Sequence, residues 1–348
     1  MTLEKIWFII DAIFWVGFFV LEGFDFGVGM LQSVMARDEP ERRVLINSIG
    51  PIWDGNEVWL IVAGAVIFAA FPAWYATMFS SLYLAILLVL VALIARGLSF
   101  EYRRKITDPR WRTMWTWAMA VGSALVPFLL GVALGDLLHG LPIDKAGNYT
   151  GTFFDILVPY GLWCGLTFLS LSLLMGVSYL ALKTTGALRE RAHQWSRPIA
   201  GATVLAVFGL LTWTHVGLGK GFFPNPLEVL ALLAVIAAAL VTGSRETESW
   251  TFLAAAVGTA ATVASIFAEL FPNVMVSSTN HAYNLTIAGT ASPSYTLTVM
   301  TVVAVIFFPI VLIYQGWSLN VFKKRLSSPA SDSGAVDSRA TPSAGPAS

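Results

Sequence analysis

The sequence predicts an all-α membrane protein that crosses the bilayer several times. Of its 348 residues, 56% are hydrophobic and 12% are charged, whereas soluble proteins carry about 25% charged residues. Apolar runs near the roughly 20 residues that span a bilayer recur along the chain. Such runs must be helical, because lipid offers no hydrogen-bond partner to an irregular backbone.

Nine apolar segments predict nine transmembrane helices. In chain order they are residues 6–33, 50–71, 76–99, 114–138, 155–182, 198–217, 227–243, 250–271 and 295–319. This number permits two four-helix bundles with one peripheral helix, although no sequence repeat indicates that arrangement. We expect residues 1–326 to form one transmembrane domain. Residues 327–348 are rich in Ser, Pro, Ala and Gly and are expected to form a disordered cytoplasmic tail.

The distribution of basic residues orients the predicted helices. The loops after segments 1, 3, 5, 7 and 9 carry sixteen of the 21 Lys and Arg residues. Because basic residues accumulate on the cytoplasmic side of membrane proteins, we expect an outside N-terminus and a cytoplasmic C-terminus. Arg96, at the cytoplasmic end of segment 3, is expected to reach the membrane surface or to pair with Glu101.

Carboxylates inside the first two segments are the most informative residues. Glu22 and Asp25 lie in the inner half of segment 1, and Asp54 and Glu57 open segment 2. A helix turns about 100° per residue, so Asp11, Glu22 and Asp25 share one face within roughly 60°. Segments 1 and 2 are neighbours in the chain, so we expect the two acidic pairs to meet at the same depth.

Two interpretations of these acids remain open. Carboxyl groups held in a low-dielectric environment can accept and release protons near neutral pH, as they do in intramembrane proton relays. Alternatively, they hydrogen-bond Asn56 or the backbone and only fix how the helices cross. Asp11, nearer the outer surface, is interpreted as structural. Gly23 and Gly27 form a small-xxx-small pair, which favours close approach by a neighbouring helix.

The sequence offers no redox centre of its own. A membrane haem needs His or Met ligands at bilayer depth, but His139 and His281 fall in or near outer loops, His215 near the outer end of segment 6, and His193 in a cytoplasmic loop. The single cysteine, Cys164, excludes an internal disulfide and a CxxC motif. We expect no catalytic residue, cofactor-binding residue or metal ligand in this chain.

Two motifs give the chain a specific family resemblance. They are Glu22-Gly-Phe-Asp-Phe-Gly-Val-Gly29 and Pro51-Ile-Trp-Asp-Gly-Asn-Glu-Val-Trp-Leu-Ile61. Shorter matches are Glu41–Ser48, Phe68–Pro72 and Phe271-Pro272 followed by Ser277-Ser278-Thr279. With these stretches the sequence resembles subunit II of cytochrome bd-type quinol oxidases, over nearly the whole chain to about residue 325.

The resemblance implies a haem-free subunit of a complex that oxidises quinol and reduces dioxygen to water. It implies a partner, subunit I, that carries haem b and haem d, with proton uptake from the cytoplasm partly along the interface between the subunits. Asp54 and then Asp25 carry over as proton-pathway residues, followed by Glu57 and Glu22. The resemblance also implies a prokaryotic plasma membrane, contact with lipid and the quinone pool, small single-helix accessory subunits, and no nucleic acid.

Two other functions are compatible with buried acids. A secondary transporter would use them to couple proton and solute movement, and broken helices in matching halves of the chain would mark it. A structural scaffold would use them only to fix the register of the helices.

Overall fold

The computed structural model describes residues 2–221 and 223–327, so residues 328–348 of the predicted tail lie outside the described residues. Twelve α-helices lie within these ranges. They are α1 (Leu3–Met35), α2 (Glu39–Ile49), α3 (Trp53–Ala70), α4 (Pro72–Ser81), α5 (Tyr83–Tyr102), α6 (Pro109–His139), α7 (Pro159–Lys183), α8 (Gly186–Gly217), α9 (Pro226–Val241), α10 (Glu248–Leu270), α11 (Ile287–Thr290) and α12 (Ser294–Val321).

The described helices agree with a protein that crosses the membrane several times. Eight of them are long and apolar enough to do so, namely α1, α3, α5, α6, α7, α8, α10 and α12. The apolar helix α9 has only 16 residues, which gives a length of about 24 Å against roughly 30 Å of hydrocarbon. The predicted total of nine spans therefore depends on whether this shorter helix, which corresponds to segment 227–243, crosses the membrane.

The described helices differ from the predicted segments in three places. The loop predicted between the first two spans contains α2, and the Asp38 side chain caps that helix by accepting a 2.8 Å hydrogen bond from the Glu41 backbone N–H. The predicted span 76–99 begins inside α4 and continues through α5, because the helix is interrupted at Leu82. The predicted span 198–217 belongs to α8, which starts at Gly186. The first turns of α8 are polar, so hydropathy alone does not recognise them as helix.

A short sheet makes the all-α prediction incomplete. Strands β1 (Asn273–Met275) and β2 (Leu285–Thr286) pair antiparallel between α10 and α11. This segment connects two spanning helices. Outside the hydrocarbon, backbone N–H and C=O groups need not all form hydrogen bonds within a helix, so a short pair of strands is possible there.

Helix α1 lies at the centre of the bundle and packs against α3, α6, α7 and α10. At Gly27 the backbones of α1 and α7 are so close that a Cβ would come within 2.6 Å of the Gly176 Cα. Gly27 thus lies where the two helices approach closely, as its place in the small-xxx-small pair leads one to expect. At Gly23 a Cβ would meet side-chain atoms alone, the sulfur of Met175 at 3.3 Å and the hydroxyl oxygen of Ser172 at 4.0 Å.

Helix α12 lies at the edge of the bundle. In this fully described helix only Leu297 is buried. Near its start, the Trp7 indole N–H donates to the Leu297 carbonyl oxygen at 3.1 Å, and the Ser292 backbone N–H donates to the Ala70 carbonyl oxygen at 2.8 Å. These bonds tie the N-terminal end of α12 to α1 and α3.

Residues 322–326, which we call the terminal strap, tie the other end of α12. Arg325 Nη2 lies 2.6 Å from Glu248 Oε2 on α10. The backbone N–H of Leu326 donates to the Lys183 carbonyl oxygen at 2.7 Å, at the end of α7. The strap thus joins the last long helix to two helices of the main bundle.

Candidate functional site

A buried arginine lies among three carboxylates that come from two helices. Arg96, on α5, is fully buried. Its Nη1 lies 2.6 Å from Glu22 Oε1 on α1 and 3.3 Å from Glu57 Oε2 on α3. Asp25 lies about one turn further along α1 and is also fully buried. We call Glu22, Asp25, Asn56, Glu57 and Arg96 the acid–arginine cluster.

Aromatic rings surround the Arg96 guanidinium. Its Cζ lies 4.8 Å from the ring centroid of Phe26 and 5.6 Å from that of Phe100. A cation over an aromatic face is stabilised by about 2 kcal/mol when it is desolvated. The prediction that Arg96 reaches the surface or pairs with Glu101 is wrong, because these rings and carboxylates hold it in the interior. Glu101 instead lies 3.3 Å from Arg104.

A pair of amides connects Asp25 to the peripheral helix. Asn56 Nδ2 donates to Asp25 Oδ2 at 2.7 Å and to the Leu21 carbonyl oxygen at 3.2 Å. Asn56 Oδ1 accepts a 2.7 Å hydrogen bond from Gln315 Nε2 on α12. Because Gln315 occupies the oxygen of the Asn56 amide, the amino group of that amide faces Asp25.

The cluster holds more acidic than basic groups. Glu22, Asp25 and Glu57 all interact with the same cation, Arg96. Buried charges are costly unless they are paired, so the charges balance only when two of the three carboxyl groups hold protons. The Glu57 side chain is 19% exposed, whereas that of Glu22 is 0% exposed. Of these two acids, Glu57 is therefore the one whose carboxyl group reaches the surface of the chain.

Asp54 lies outside the cluster, on the exposed surface of α3. Together with Glu57 it lines an apolar groove of about 770 Å³ between α3, α4, α5 and α6. Residues three apart on a helix differ by roughly 60° in direction, which is enough to turn Glu57 inward and Asp54 outward. The predicted meeting of two acidic pairs thus holds for Glu22, Asp25 and Glu57, but not for Asp54.

For some buried polar residues, the sequence analysis either made no prediction or predicted the wrong location. Asp136 on α6 is fully buried, and its carboxylate oxygens have no hydrogen-bond partner among the described residues. The sequence did contain a signal for Asp136, because an acidic residue within an apolar run is unusual. The same signal identified Asp11, which is also fully buried. His193, predicted to be solvated in a loop, is buried in α8 and its Nε2 lies 2.7 Å from Glu248 Oε1. The prediction for His193 is wrong because α8 begins earlier than its apolar part.

The fold and its buried charges define a multi-pass membrane protein that holds ionisable groups in its interior. The family model described as "Cytochrome bd terminal oxidase subunit II" matches residues 3–322. The cytochrome bd ubiquinol oxidase subunit 2 of Bacillus subtilis (strain 168) is 42% identical over 330 residues, which cover 94% of this chain and 97% of the relative. The cytochrome bd-I ubiquinol oxidase subunit 2 of Escherichia coli (strain K12) is 36% identical and covers 91% of this chain and 93% of its own length.

A solved structure shows the same fold. A chain of the bd oxidase from Geobacillus thermodenitrificans superposes with a TM-score of 0.76 at 18% identity, and the match covers 92% of this chain and 99% of that one. The chain belongs to the cytochrome bd terminal oxidase subunit II family. It is accordingly a subunit of a respiratory oxidoreductase complex.

Proposed function

We propose that this chain is the haem-free subunit II of a quinol oxidase, and that the acid–arginine cluster passes protons from the cytoplasm toward the oxygen-reducing site. Reduction of dioxygen to water consumes protons as well as electrons, so such a complex needs a proton route. The observation that supports this role is the burial of Glu22 and Asp25 beside a single guanidinium, with half-buried Glu57 next to them.

The order of burial suggests the order of transfer. Asp54, on the exposed wall of the groove, collects a proton and delivers it to Glu57. Glu57 and Glu22 both contact Arg96 Nη1, so this guanidinium can stabilise whichever of the two has lost its proton. The proton then reaches Asp25, where the Asn56 amide donates to the carboxylate at 2.7 Å and stabilises its ionised form.

The remaining parts of the complex belong to the same proposal. Subunit I carries haem b and haem d, and part of the proton route runs along its interface with this chain. We propose that the chain crosses a prokaryotic plasma membrane nine times with its N-terminus outside, because this orientation puts the basic loops in the cytoplasm, and that residues 327–348 lie on that side. Lipid, the quinone pool and small single-helix accessory subunits surround the pair in the plasma membrane. Because its named relatives are ubiquinol oxidases, a quinol is the electron donor.

Replacement of Asp54 or Asp25 by asparagine tests the proton route. An amide cannot relay a proton, and each 1.4 kcal/mol or so added to the transfer barrier slows turnover about tenfold. We expect the Asp54→Asn and Asp25→Asn complexes to consume oxygen at least about tenfold more slowly while their haem spectra stay unchanged. Glu246→Gln, which neutralises an exposed acid on the side of the basic loops, is the matched control.

The same variants distinguish a role of these acids in proton transfer from a purely structural role. Full oxygen consumption after Asp25 and Asp54 are replaced together would overturn the proton-route proposal and leave these acids a scaffolding role. Loss of the haem spectrum would point in the same direction, because the variant complex would then have failed to assemble rather than failed to move protons.

A further inference from the structure

A basic cavity lies apart from the acid–arginine cluster, between α2, the loop after α5 and the start of α6. Its volume is about 310 Å³, and Arg42, Arg103 and Arg112 line it together with Glu39 and Thr113. The loops on either side of this cavity are among those that carry most of the basic residues of the chain. The cavity thus belongs to the end of the bundle where basic residues accumulate.

The charges in this cavity do not cancel. Arg103 holds Glu39 with both ends of its guanidinium, through hydrogen bonds of 2.8 and 2.6 Å. Arg42 Nη1 approaches the same carboxylate only to 3.7 Å. Arg112 makes no side-chain hydrogen bond or ion pair with another described residue. Outside the cavity lining, Arg43 Nε also lies 3.5 Å from Glu39. One carboxylate therefore faces all three guanidinium groups of the cavity. Arg42 gives only its Nε, to the Gln32 carbonyl oxygen at 3.4 Å, so its two Nη groups and the Arg112 guanidinium hold donors without a hydrogen-bond partner among the described residues.

An apolar stripe on α6 continues away from the cavity. Trp117 lines the cavity and is 53% exposed, in line with Met114, Val121 and Leu125. These residues are spaced three and four apart, so they form one face of the helix. Basic pockets between membrane helices on the cytoplasmic side bind anionic lipid headgroups. An exposed apolar face below such a pocket is suited to acyl chains.

We propose that this cavity binds the phosphate of an anionic glycerophospholipid, whose acyl chains lie along the stripe of Met114, Trp117, Val121 and Leu125. Guanidinium groups bind phosphate oxygens through paired, charge-assisted hydrogen bonds, and the Nη groups of Arg42 and the guanidinium of Arg112 have the donors for them. Arg103 orients the site by holding Glu39 away from the phosphate. The apolar stripe favours a lipid over free phosphate as the ligand.

The site is tested by titrating the delipidated, intact oxidase complex with dioleoyl phosphatidylglycerol and counting bound lipids by native mass spectrometry. Each basic side chain near an anionic surface strengthens binding by about fivefold. We expect Arg112→Gln and Arg42→Gln each to weaken binding by about fivefold and the double variant by about 25-fold. The matched control is Arg110→Gln, which removes an exposed arginine of the same helix turn that does not line the cavity.

The ligand class is tested by two further titrations. Phosphatidylcholine is expected to bind the wild-type site more weakly than phosphatidylglycerol, and millimolar inorganic phosphate is expected to leave the bound lipid in place. Equal affinities in the Arg112→Gln and Arg110→Gln complexes would overturn the site. Displacement of the lipid by inorganic phosphate would overturn the assignment of a lipid, because a free anion would then satisfy the cavity. An unchanged haem spectrum in each variant shows that the complex has assembled.

Discussion

Removal of Arg96 is expected to destabilise the complex strongly, because it leaves buried carboxylates without their cation. Arg96 is 0% exposed and lies 2.6 Å from Glu22, which is also 0% exposed. Loss of one partner from a buried ion pair costs about 3–5 kcal/mol. The same Arg→Gln change at Arg104, whose side chain is 70% exposed beside Glu101, is expected to cost at most about 1 kcal/mol.

A second variant separates the loss of charge from the loss of packing. In the double variant Arg96→Gln with Glu22→Gln, one buried acid is removed together with the cation, so part of the stability is expected to return. Groups in direct contact usually show coupling energies of about 0.5–3 kcal/mol, and we expect this pair near the upper end.

Retention of the haem absorbance during incubation at one elevated temperature is the measurement, because large membrane complexes unfold irreversibly and are compared by half-life. The expected order, from longest to shortest half-life, is Arg104→Gln, the double variant, and Arg96→Gln. If Arg96→Gln survives as long as Arg104→Gln, the guanidinium does not balance the carboxylates and the charge argument fails. If Arg96→Gln does not accumulate at all, recovery of the complex in the double variant supplies the same comparison.

Three further predictions concern single side chains. Gly27→Ala is expected to prevent accumulation of the complex, because its Cβ would lie within 2.6 Å of the Gly176 Cα, whereas Gly201→Ala, with nothing within 4 Å, is expected to accumulate normally. Gln315→Leu removes the donor to Asn56 and is expected to cost about 1–3 kcal/mol and to shift the pH profile of oxygen consumption, while Ser318→Ala on the same helix leaves both unchanged. The Arg103 side chain lowers the pKa of Glu39 below its usual range, so Glu39 stabilises the fold at neutral pH and this contribution is lost as the pH falls through the lowered pKa. Glu39→Gln is therefore expected to reduce the thermal stability at neutral pH and to flatten its decrease below about pH 5; an unchanged acid profile would contradict this.

The sequence predicted the helical framework well, because hydropathy reports directly on which residues lipid can surround. It failed where polar residues extend a helix beyond the hydrocarbon, as in the first turns of α8. It also failed at Leu82, where one apolar run is divided between α4 and α5. Polar turns lower the hydropathy of a window just as a loop does, and the interruption at Leu82 leaves it unchanged, so hydropathy reports neither feature.

The sequence identified the acidic residues of the candidate site, but it did not predict how they are arranged around Arg96. Glu22 and Asp25 were placed on one face of α1 by helix periodicity alone. Which carboxylates pair with Arg96 depends on how α5 packs against α1 and α3. The spacing of residues along the sequence contains no information about that packing. The outward direction of Asp54 was equally hidden, because apolar residues on most sides of α3 leave its orientation undetermined.

The terminal strap has a consequence for biogenesis. Arg325 and Leu326 leave the ribosome after the eight long apolar helices of the described residues have been made, yet they bond to Glu248 and Lys183 near the ends of α10 and α7. Until translation has passed Leu326, Glu248 has no contact with Arg325 and the end of α12 is not held by the strap. Insertion of the helices and closure of this end of the bundle are thus separate events in time, and release of a stalled nascent chain before Arg325 would capture the open form.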